Sequence, residues 1–210
     1  RSPQRVFGPA DGLRPQLVCL NQCEQILVED VSLLRSPFWV LHPLMSTDVT
    51  VRRVRFINNG PNGDGCDPES CNRVLIEEYT ASRGAHSALT LGSESVRCSN
   101  VVMRNCTLDG CANLLNLKMR VDTPQLYENI LVENVNGYAR GAFLKCRAWS
   151  QFADFGDRTG EELLSRARNV TMRNCTVKCG TFISTDGDTG VMKLSGFAFD
   201  GVKVDAKDAR

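Results

Sequence analysis

Short stretches of alternating apolar and polar residues recur along the chain. Most start with a polar residue, which is followed in order by an apolar, a variable, an apolar and two polar residues. This is the alternation of a strand with one buried face. The two most similar copies are Asn100-Val-Val-Met-Arg-Asn-Cys-Thr107 and Asn169-Val-Thr-Met-Arg-Asn-Cys-Thr176. Weaker copies start at Gln25, Asp48, Arg73, Asn129 and Gly196. The pattern predicts a chain built from many short strands.

The spacing of these copies indicates the architecture. Counted between the first apolar residues of successive copies, the intervals are 23, 25, 27, 29, 40 and 27 residues. A recurring interval of this length is typical of a solenoid, in which each unit buries its apolar face by stacking on its neighbours. The first apolar residues are Ile26, Val49, Val74, Val101, Ile130, Val170 and Phe197.

The composition of the repeats separates two kinds of solenoid. A leucine-rich repeat has a similar period, but it needs an L-x-x-L-x-L-x-x-N signature that none of the copies contains. The copies are instead rich in Val, Ile, Thr and Asn, with little helical patterning between them. We therefore predict an all-β fold, a right-handed parallel β-helix, as a single domain over residues 1–210. The one long interval predicts an insertion at residues 147–168, formed by a loop and a short helix.

Asparagine recurs at equivalent places near the ends of several copies. The examples are Asn105, Asn134 and Asn174. Asparagine side chains satisfy backbone groups at bends. These residues are therefore predicted to form a ladder at the turns rather than a binding site.

Overall charge and hydrophobicity exclude some classes of function. The chain has 210 residues, 42% of them hydrophobic, and its 25 basic and 24 acidic residues give a net charge of +1. This balance argues against nucleic-acid binding by phosphate neutralisation. No apolar run approaches the roughly 20 residues of a membrane span. The opening Arg-Ser-Pro-Gln contains no apolar signal region, so we expect any targeting peptide to lie outside this chain, which we interpret as a possible fragment or processed form.

The ten cysteines include no C-x-x-C pair, and the chain has only two histidines. A zinc site is therefore not expected, and no metal is assigned. We predict mainly buried free thiols together with one or two disulfide bridges. Of the two histidines, His42 follows an apolar run and is predicted to be structural.

The stretch between the third and fourth strand copies holds the most informative motif. Its sequence, Asn62-Gly-Asp64-Gly-Cys-Asp67-Pro, resembles the N-x-D-G-x-D motif of the polygalacturonase family, glycoside hydrolase family 28. Downstream, Gly84-Ala-His86 and the following Gly-Ser-Glu94 resemble that family's G-H-G…G-S-E stretch. Asn116-Leu-Lys118 lies where the family has R-x-K. The resemblance covers most of the chain.

The resemblance implies a pectin-degrading glycoside hydrolase that cleaves galacturonan by inverting acid–base catalysis, without a cofactor. Inversion needs a carboxylic acid and a water-activating carboxylate, about 6.5–9.5 Å apart. By resemblance, Asp64 activates water and His86 orients or tunes the acid site. Lys118 would bind a substrate carboxylate, with Asn116 and Arg120 beside it. A polymeric substrate of this kind implies a secreted or periplasmic protein.

The chain departs from the family pattern in two places. The family carries a G-D-D pair, including the general acid, one coil after the N-x-D-G motif. Here no such pair follows, and the sequence suggests that a whole coil is absent between Glu78 and Tyr79. In addition, Asn116 replaces the arginine of R-x-K, although Arg120 lies four residues further on the same strand face.

These departures leave other interpretations open. Asp67, Glu69 and Glu94 are the nearest alternative acids in the sequence. A catalytically inactive β-helix that binds acidic polysaccharide is the main alternative to a hydrolase. A calcium-dependent, pectate-lyase-like enzyme is a third hypothesis, but no acidic cluster with calcium-ligand spacing stands out.

Overall fold

The computed structural model describes residues 14–58, 62–82, 86–92, 95–120, 123–149, 164–186 and 192–208. The described residues contain no helix, and every pairing between their strands is parallel. In chain order the strands are β1 (Val18–Asn21), β2 (Glu24–Glu29), β3 (Ser32–Leu34), β4 (Leu41–Leu44), β5 (Thr47–Arg52), β6 (Arg55–Ile57), β7 (Asn72–Glu77), β8 (Thr80–Ser82), β9 (Ser87–Leu91), β10 (Arg97–Arg104), β11 (Thr107–Cys111), β12 (Asn113–Arg120), β13 (Leu126–Glu133), β14 (Asn136–Ala139), β15 (Ala142–Trp149), β16 (Ser165–Arg173), β17 (Thr176–Asp186), β18 (Met192–Asp200) and β19 (Lys203–Asp208).

The strands stack into three faces. The first face is a seven-stranded sheet in the order β18-β16-β13-β10-β7-β5-β2. The second face contains β3, β6, β8, β11, β14, the first part of β17, and β19. The third face contains β1, β4, β9, β12, β15 and the second part of β17, and Cys66 bridges β4 to β9. The predicted parallel β-helix is therefore confirmed as the fold.

The pairing register on the first face confirms the repeat found in the sequence. The first apolar residue of each copy pairs with that of the next copy, even across the 40-residue interval, where Ile130 pairs with Val170. The remaining pairs in this column are Ile26 with Val49, Val49 with Val74, Val74 with Val101, Val101 with Ile130, and Val170 with Phe197.

Left-handed backbone conformations create the bends of each coil. The residue before the first apolar position has a positive φ in copy after copy, including 57° at Asn100, 57° at Asn129 and 55° at Asn169. Asparagine tolerates this conformation better than most residues. The side chains of neighbouring coils also bond to one another: Asn134 Nδ2 donates to Asn105 Oδ1 at 3.1 Å. The predicted asparagine ladder is therefore present between Asn105 and Asn134.

Apolar side chains from all three faces fill the interior. Among the largest fully buried ones are Tyr79, Tyr127, Phe56, Phe143 and Leu114. Stacking buries each coil's apolar residues only when the neighbouring coils are in place. The core is therefore a continuous column rather than a set of independent units.

All ten cysteines lie among the described residues, and all are free thiols. The expectation of one or two disulfide bridges is therefore wrong. Eight of the thiols are buried, where they pack as small apolar side chains. Burial raises the pKa of Cys111 and of Cys146 to about 12, so these thiols are protonated at neutral pH.

The predicted insertion at 147–168 is shorter than expected at both ends. Residues 147–149 complete β15, and residues 165–168 belong to β16. The predicted short helix extended to Arg166, which instead lies in a strand. The rest of the predicted loop and helix, residues 150–163, lies outside the described residues.

Candidate active site on the third face

Asp64 lies between two coils at the edge of the third face. Its carbonyl oxygen accepts a hydrogen bond from Val40 N at 3.0 Å, and the next residue, Gly65, donates to Ser87 O at 3.1 Å. These bonds fix the Asp64 backbone to the coil before it and the coil after it. The residue itself is only 1% exposed.

Three side chains surround the Asp64 carboxylate. His86 Nδ1 lies 3.0 Å from Oδ1, the Thr90 hydroxyl donates to Oδ1 at 3.3 Å, and Lys118 Nζ lies 3.5 Å from Oδ2. Burial alone would raise the pKa of Asp64. The Lys118 charge and the hydrogen bond from His86 outweigh burial and hold that pKa well below its usual range. Asp64 is therefore an ionised carboxylate at neutral pH.

Asp67 is the second buried carboxyl group of this cluster, at 2% exposure. Burial, followed by the neighbouring Asp64 charge, raises the pKa of Asp67 well above its usual range, although Lys118 and a Thr90 hydrogen bond act in the opposite direction. Within the described part of the chain, its Oδ2 atom has no hydrogen-bond partner. The pKa values of two acidic residues three positions apart are thus pushed in opposite directions, a pattern that recurs at acid–base sites.

The resemblance-based candidates His86, Asp64 and Lys118 come together although they belong to three successive coils. Cys66, close to Asp64, pairs with Leu89, and Leu89 pairs with Leu115 in the strand that carries Lys118. The Lys118 side chain is 6% exposed, which excludes a solvated surface lysine. Its predicted role in binding a substrate carboxylate stays a prediction.

Asn116 and Arg120 lie on the same strand as Lys118, β12, two positions before it and two positions after it. Asn116 is buried in register with Thr90 on one side and Lys145 on the other. Neither polar atom of its amide has a hydrogen-bond partner among the described residues. Arg120 lies at the strand's end, where its backbone N donates to the Gln125 side chain at 2.7 Å. Their roles in substrate binding likewise stay predictions.

His86 lies in the coil that directly follows Asp64. In the family pattern the coil after the N-x-D-G motif carries the acid pair, whereas residues 79–92 contain no Asp or Glu. The strands of this coil, β8 and β9, pair with neighbours on both sides. A solenoid from which one coil is removed also stacks continuously, so the missing coil stays a prediction. The His86 side chain is 43% exposed, and it is therefore the most accessible member of the cluster.

The alternative acids have different surroundings. Glu69 is buried and pairs with His42, whose Nε2 atom lies 3.1 Å from Glu69 Oε2. His42 is thus part of a buried structural pair, as the sequence indicated. Glu94 lies outside the described residues.

Thr90 and the protonation state of Asp67 were not found by sequence reasoning. On β9, Thr90 lies between Leu89 and Leu91, and successive side chains of a strand point to opposite faces. The sequence therefore contained a sign that Thr90 points to the face opposite the two leucines. No local signal indicated that Asp67 would be buried beside the charge of Asp64. Across the described residues, no group of three or more His, Cys, Asp or Glu residues is arranged to hold a metal ion.

Comparison with solved structures identifies the class of fold as the parallel β-helix of polygalacturonases. An exopolygalacturonase from Thermotoga maritima matches 94% of this chain with a TM-score of 0.56 and 20% sequence identity, over 57% of its own length. A polygalacturonase from Erwinia carotovora ssp. carotovora matches 98% of the chain with a TM-score of 0.66 and 15% identity, over 62% of its length.

Similarity in sequence points to the same group of proteins over a shorter segment. A probable polygalacturonase from Vitis vinifera is 33% identical over 67 residues, which is 31% of this chain and 14% of that protein. No protein-family profile matches the chain. The chain is thus polygalacturonase-like in fold and, locally, in sequence, and it spans about three fifths of the solved structures and 14% of the grape protein. In the part of the chain that the structure describes, no helix has the length and apolarity needed to cross a membrane.

Proposed function

We propose that this chain is a glycoside hydrolase of the polygalacturonase type, which hydrolyses galacturonan with inversion. The observation that carries the proposal is the ionised Asp64 carboxylate, held by His86 and Lys118 on one face of a polygalacturonase-like β-helix. A fixed charge in a buried setting acts far more strongly on a reacting bond than it would in water. The cluster is therefore suited to a polar bond-breaking reaction.

An acidic polymer is the substrate class that the surrounding charges favour. Next to β12, the strand β15 places Lys145 in register with Asn116 and Arg147 in register with Lys118. Successive coils are about 4.8 Å apart, so Lys145 and Arg147 place further cationic groups along the helix axis beside Lys118. Cations spaced in this way suit the carboxylates of successive galacturonate units. A substrate of this kind is found outside the cytoplasm, and we propose a secreted or periplasmic location.

The direct test is release of reducing ends from polygalacturonate, with a neutral glucan as the comparison polymer. We expect release from polygalacturonate only, and we expect NMR of the first product to show the inverted anomer. A folded protein that releases no reducing ends from polygalacturonate would contradict the proposed function.

A second candidate function is binding of acidic polysaccharide without cleavage. It is favoured by the lack of the family's acid pair in the coil after Asp64, since residues 79–92 contain no Asp or Glu. Saturable binding of polygalacturonate by calorimetry, together with no reducing-end release, would establish this alternative. Binding with release would reject it.

A further inference from the structure

The exposure of the cluster members is unequal. Asp64 is 1% exposed and Asp67 is 2% exposed, whereas the His86 side chain is 43% exposed. A group that transfers a proton must come within hydrogen-bond reach of the reacting atom. Among these three, the imidazole is the group that a bound polymer meets first.

The backbone of His86 is held from both sides. Its N–H donates to Gly63 O at 3.1 Å, and its carbonyl accepts a hydrogen bond from Asn113 N at 3.1 Å. The ring is oriented separately, since Nδ1 lies 3.0 Å from Asp64 Oδ1. With Nδ1 engaged by the carboxylate, Nε2 is the nitrogen at the opposite edge of the ring. A buried carboxylate that orients an imidazole in this way is a recurring arrangement in acid–base catalysis.

We infer that His86 is the proton donor of this site, with Asp64 as its positioning residue. The inference rests on the proposed function, and it gives Asp64 a task different from the activation of water that the resemblance implies. His86 lies in the coil next to Asp64, and residues 79–92 carry no acid pair, so in this proposal the imidazole performs the proton transfer that a carboxylic acid performs in the family pattern. Asp67 is less accessible to a bound polymer, because it is only 2% exposed.

The step is balanced as follows. Protonated Nε2 gives its proton to the glycosidic oxygen while the bond between that oxygen and the anomeric carbon breaks. The oxygen of a water molecule forms the new bond to the anomeric carbon from the opposite side. The proton that this water loses passes to the solvent, from which Nε2 is protonated again. The ionised Asp64 compensates the positive charge of the imidazolium before the transfer.

Chemical rescue tests the catalytic part of the inference. We expect His86→Ala to lower the rate of reducing-end release about 10²–10⁴-fold, the usual contribution of a proton-transfer group. Added imidazole should raise the rate of His86→Ala by at least roughly tenfold, because a small donor replaces the missing ring. The matched control is Lys118→Met, which removes a cation rather than a proton donor and should gain nothing from imidazole.

NMR of the imidazole nitrogens tests the positioning part without any activity. The chain has two histidines, so His42 provides an internal reference that is paired with Glu69. We expect the ¹⁵N shifts of His86 to show a proton on Nδ1 in the native chain and to change in Asp64→Asn, while those of His42 stay the same. Unchanged His86 shifts in Asp64→Asn would overturn the positioning role.

The outcomes separate the inference from the proposed function. A native chain that is active, with His86→Ala equally active, overturns the proton-donor role and leaves the hydrolase in place. Loss of activity in His86→Ala that imidazole does not restore also overturns it, because the ring then has only a structural role. A native chain that is folded and inactive overturns both.

Discussion

Asp64 and Asp67 are three positions apart and both almost fully buried, yet the pKa values of their carboxyl groups shift in opposite directions. Lys118 and His86 lie against the Asp64 carboxylate and keep it ionised. Asp67 is buried beside that negative charge, and its pKa is raised well above the usual range. The difference arises because His86 and Lys118 outweigh burial at Asp64, whereas at Asp67 burial and the Asp64 charge outweigh the opposing effects of Lys118 and Thr90.

Replacing Asp67 with Asn should stabilise the protein at neutral pH. A carboxyl group with a raised pKa must take up a proton on folding, which costs free energy at any pH above its unfolded value of about 3.9. As the pH rises from that value through the raised pKa, the native protein therefore loses stability relative to Asp67→Asn. The free energy of unfolding from urea titrations at pH 7 should be higher in Asp67→Asn, and the two proteins should converge in acid.

Asp48→Asn is the matched control for this prediction. The Asp48 side chain is 43% exposed, and the hydrogen bond from Arg73 lowers the pKa of Asp48. The Asp48 carboxylate stabilises the folded protein at pH values above its unfolded pKa, and this contribution is lost as the pH falls. The pH dependence is therefore opposite in sign to that expected for Asp67. Destabilisation of Asp67→Asn at pH 7 would contradict the protonated state assigned to Asp67.

At the scale of the elements, the coil bends depend on a few backbone positions with positive φ. One ladder of side chains runs through them: Asn100 donates to Asn72 at 2.8 Å, Asn129 donates to Asn100 at 3.0 Å, and Asn169 donates to Asn129 at 3.2 Å. Asn100, Asn129 and Asn169 thus supply both a tolerated left-handed conformation and a bond to a neighbouring coil. The ladder therefore links the bends of successive coils in register.

Substituting Asn100 separates these two contributions. Asn100→Ala should lower the free energy of unfolding by about 2–4 kcal/mol, because it loses two side-chain bonds and forces alanine into the left-handed region. Asn100→Gly loses the same bonds without that strain, so its loss should be about 1–2 kcal/mol smaller. Thermal and urea unfolding measure both. Equal losses would mean that the backbone conformation contributes little.

Gly92 is a position where the backbone of the next coil leaves no room for a side chain. Its φ is +124°, and a Cβ there would lie 2.3 Å from the backbone oxygen of Lys118. We expect Gly92→Ala to destabilise the fold by about 2–4 kcal/mol, and to lower activity by shifting the strand that carries Lys118. Gly201→Ala is the control, because its φ is +61° and its Cβ would meet only the side-chain oxygen of Asn174 at 2.6 Å. A larger loss in Gly201→Ala than in Gly92→Ala would contradict this account.

The sequence predicted the elements better than the contacts between them. The apolar positions from Ile26 to Phe197 predicted the register of a whole face, because alternation is a local property of each strand. The pairing of His42 with Glu69, which lie 27 residues apart, depends on which side chains meet across coils, and no local pattern encodes it. The disulfide prediction failed for the same reason, since cysteine count alone does not fix pairing.

At the scale of the whole molecule, the site exists only in the assembled stack. Asp64, His86 and Lys118 come from three successive coils, and the lysine side chain reaches back across the middle one. The motif resemblance predicted these three residues, but not that His86 would be the exposed member and Asp64 the buried one. That distinction depends on how the coils cover one another, which a motif does not describe.

Charged side chains also link the coils on the outside of the first face. Glu77 accepts hydrogen bonds from Arg52 at 2.6 Å and from Arg104 at 2.8 Å, one on each neighbouring coil. These hydrogen bonds lower the pKa of Glu77, those from Arg104 most strongly. The same kind of alternation that aligns the apolar core therefore places opposite charges side by side on the surface.

The measurement that tests the central claim most directly is the rate of reducing-end release from polygalacturonate by the native chain, Asp64→Asn and Asp48→Asn. We predict activity in the native chain and in Asp48→Asn. We predict a fall in rate of about 10²–10⁴-fold in Asp64→Asn, because this substitution removes the charge that holds His86 and Lys118 together. Circular dichroism must show the same β-rich spectrum in all three. Equal rates in Asp64→Asn and the native chain would contradict the account.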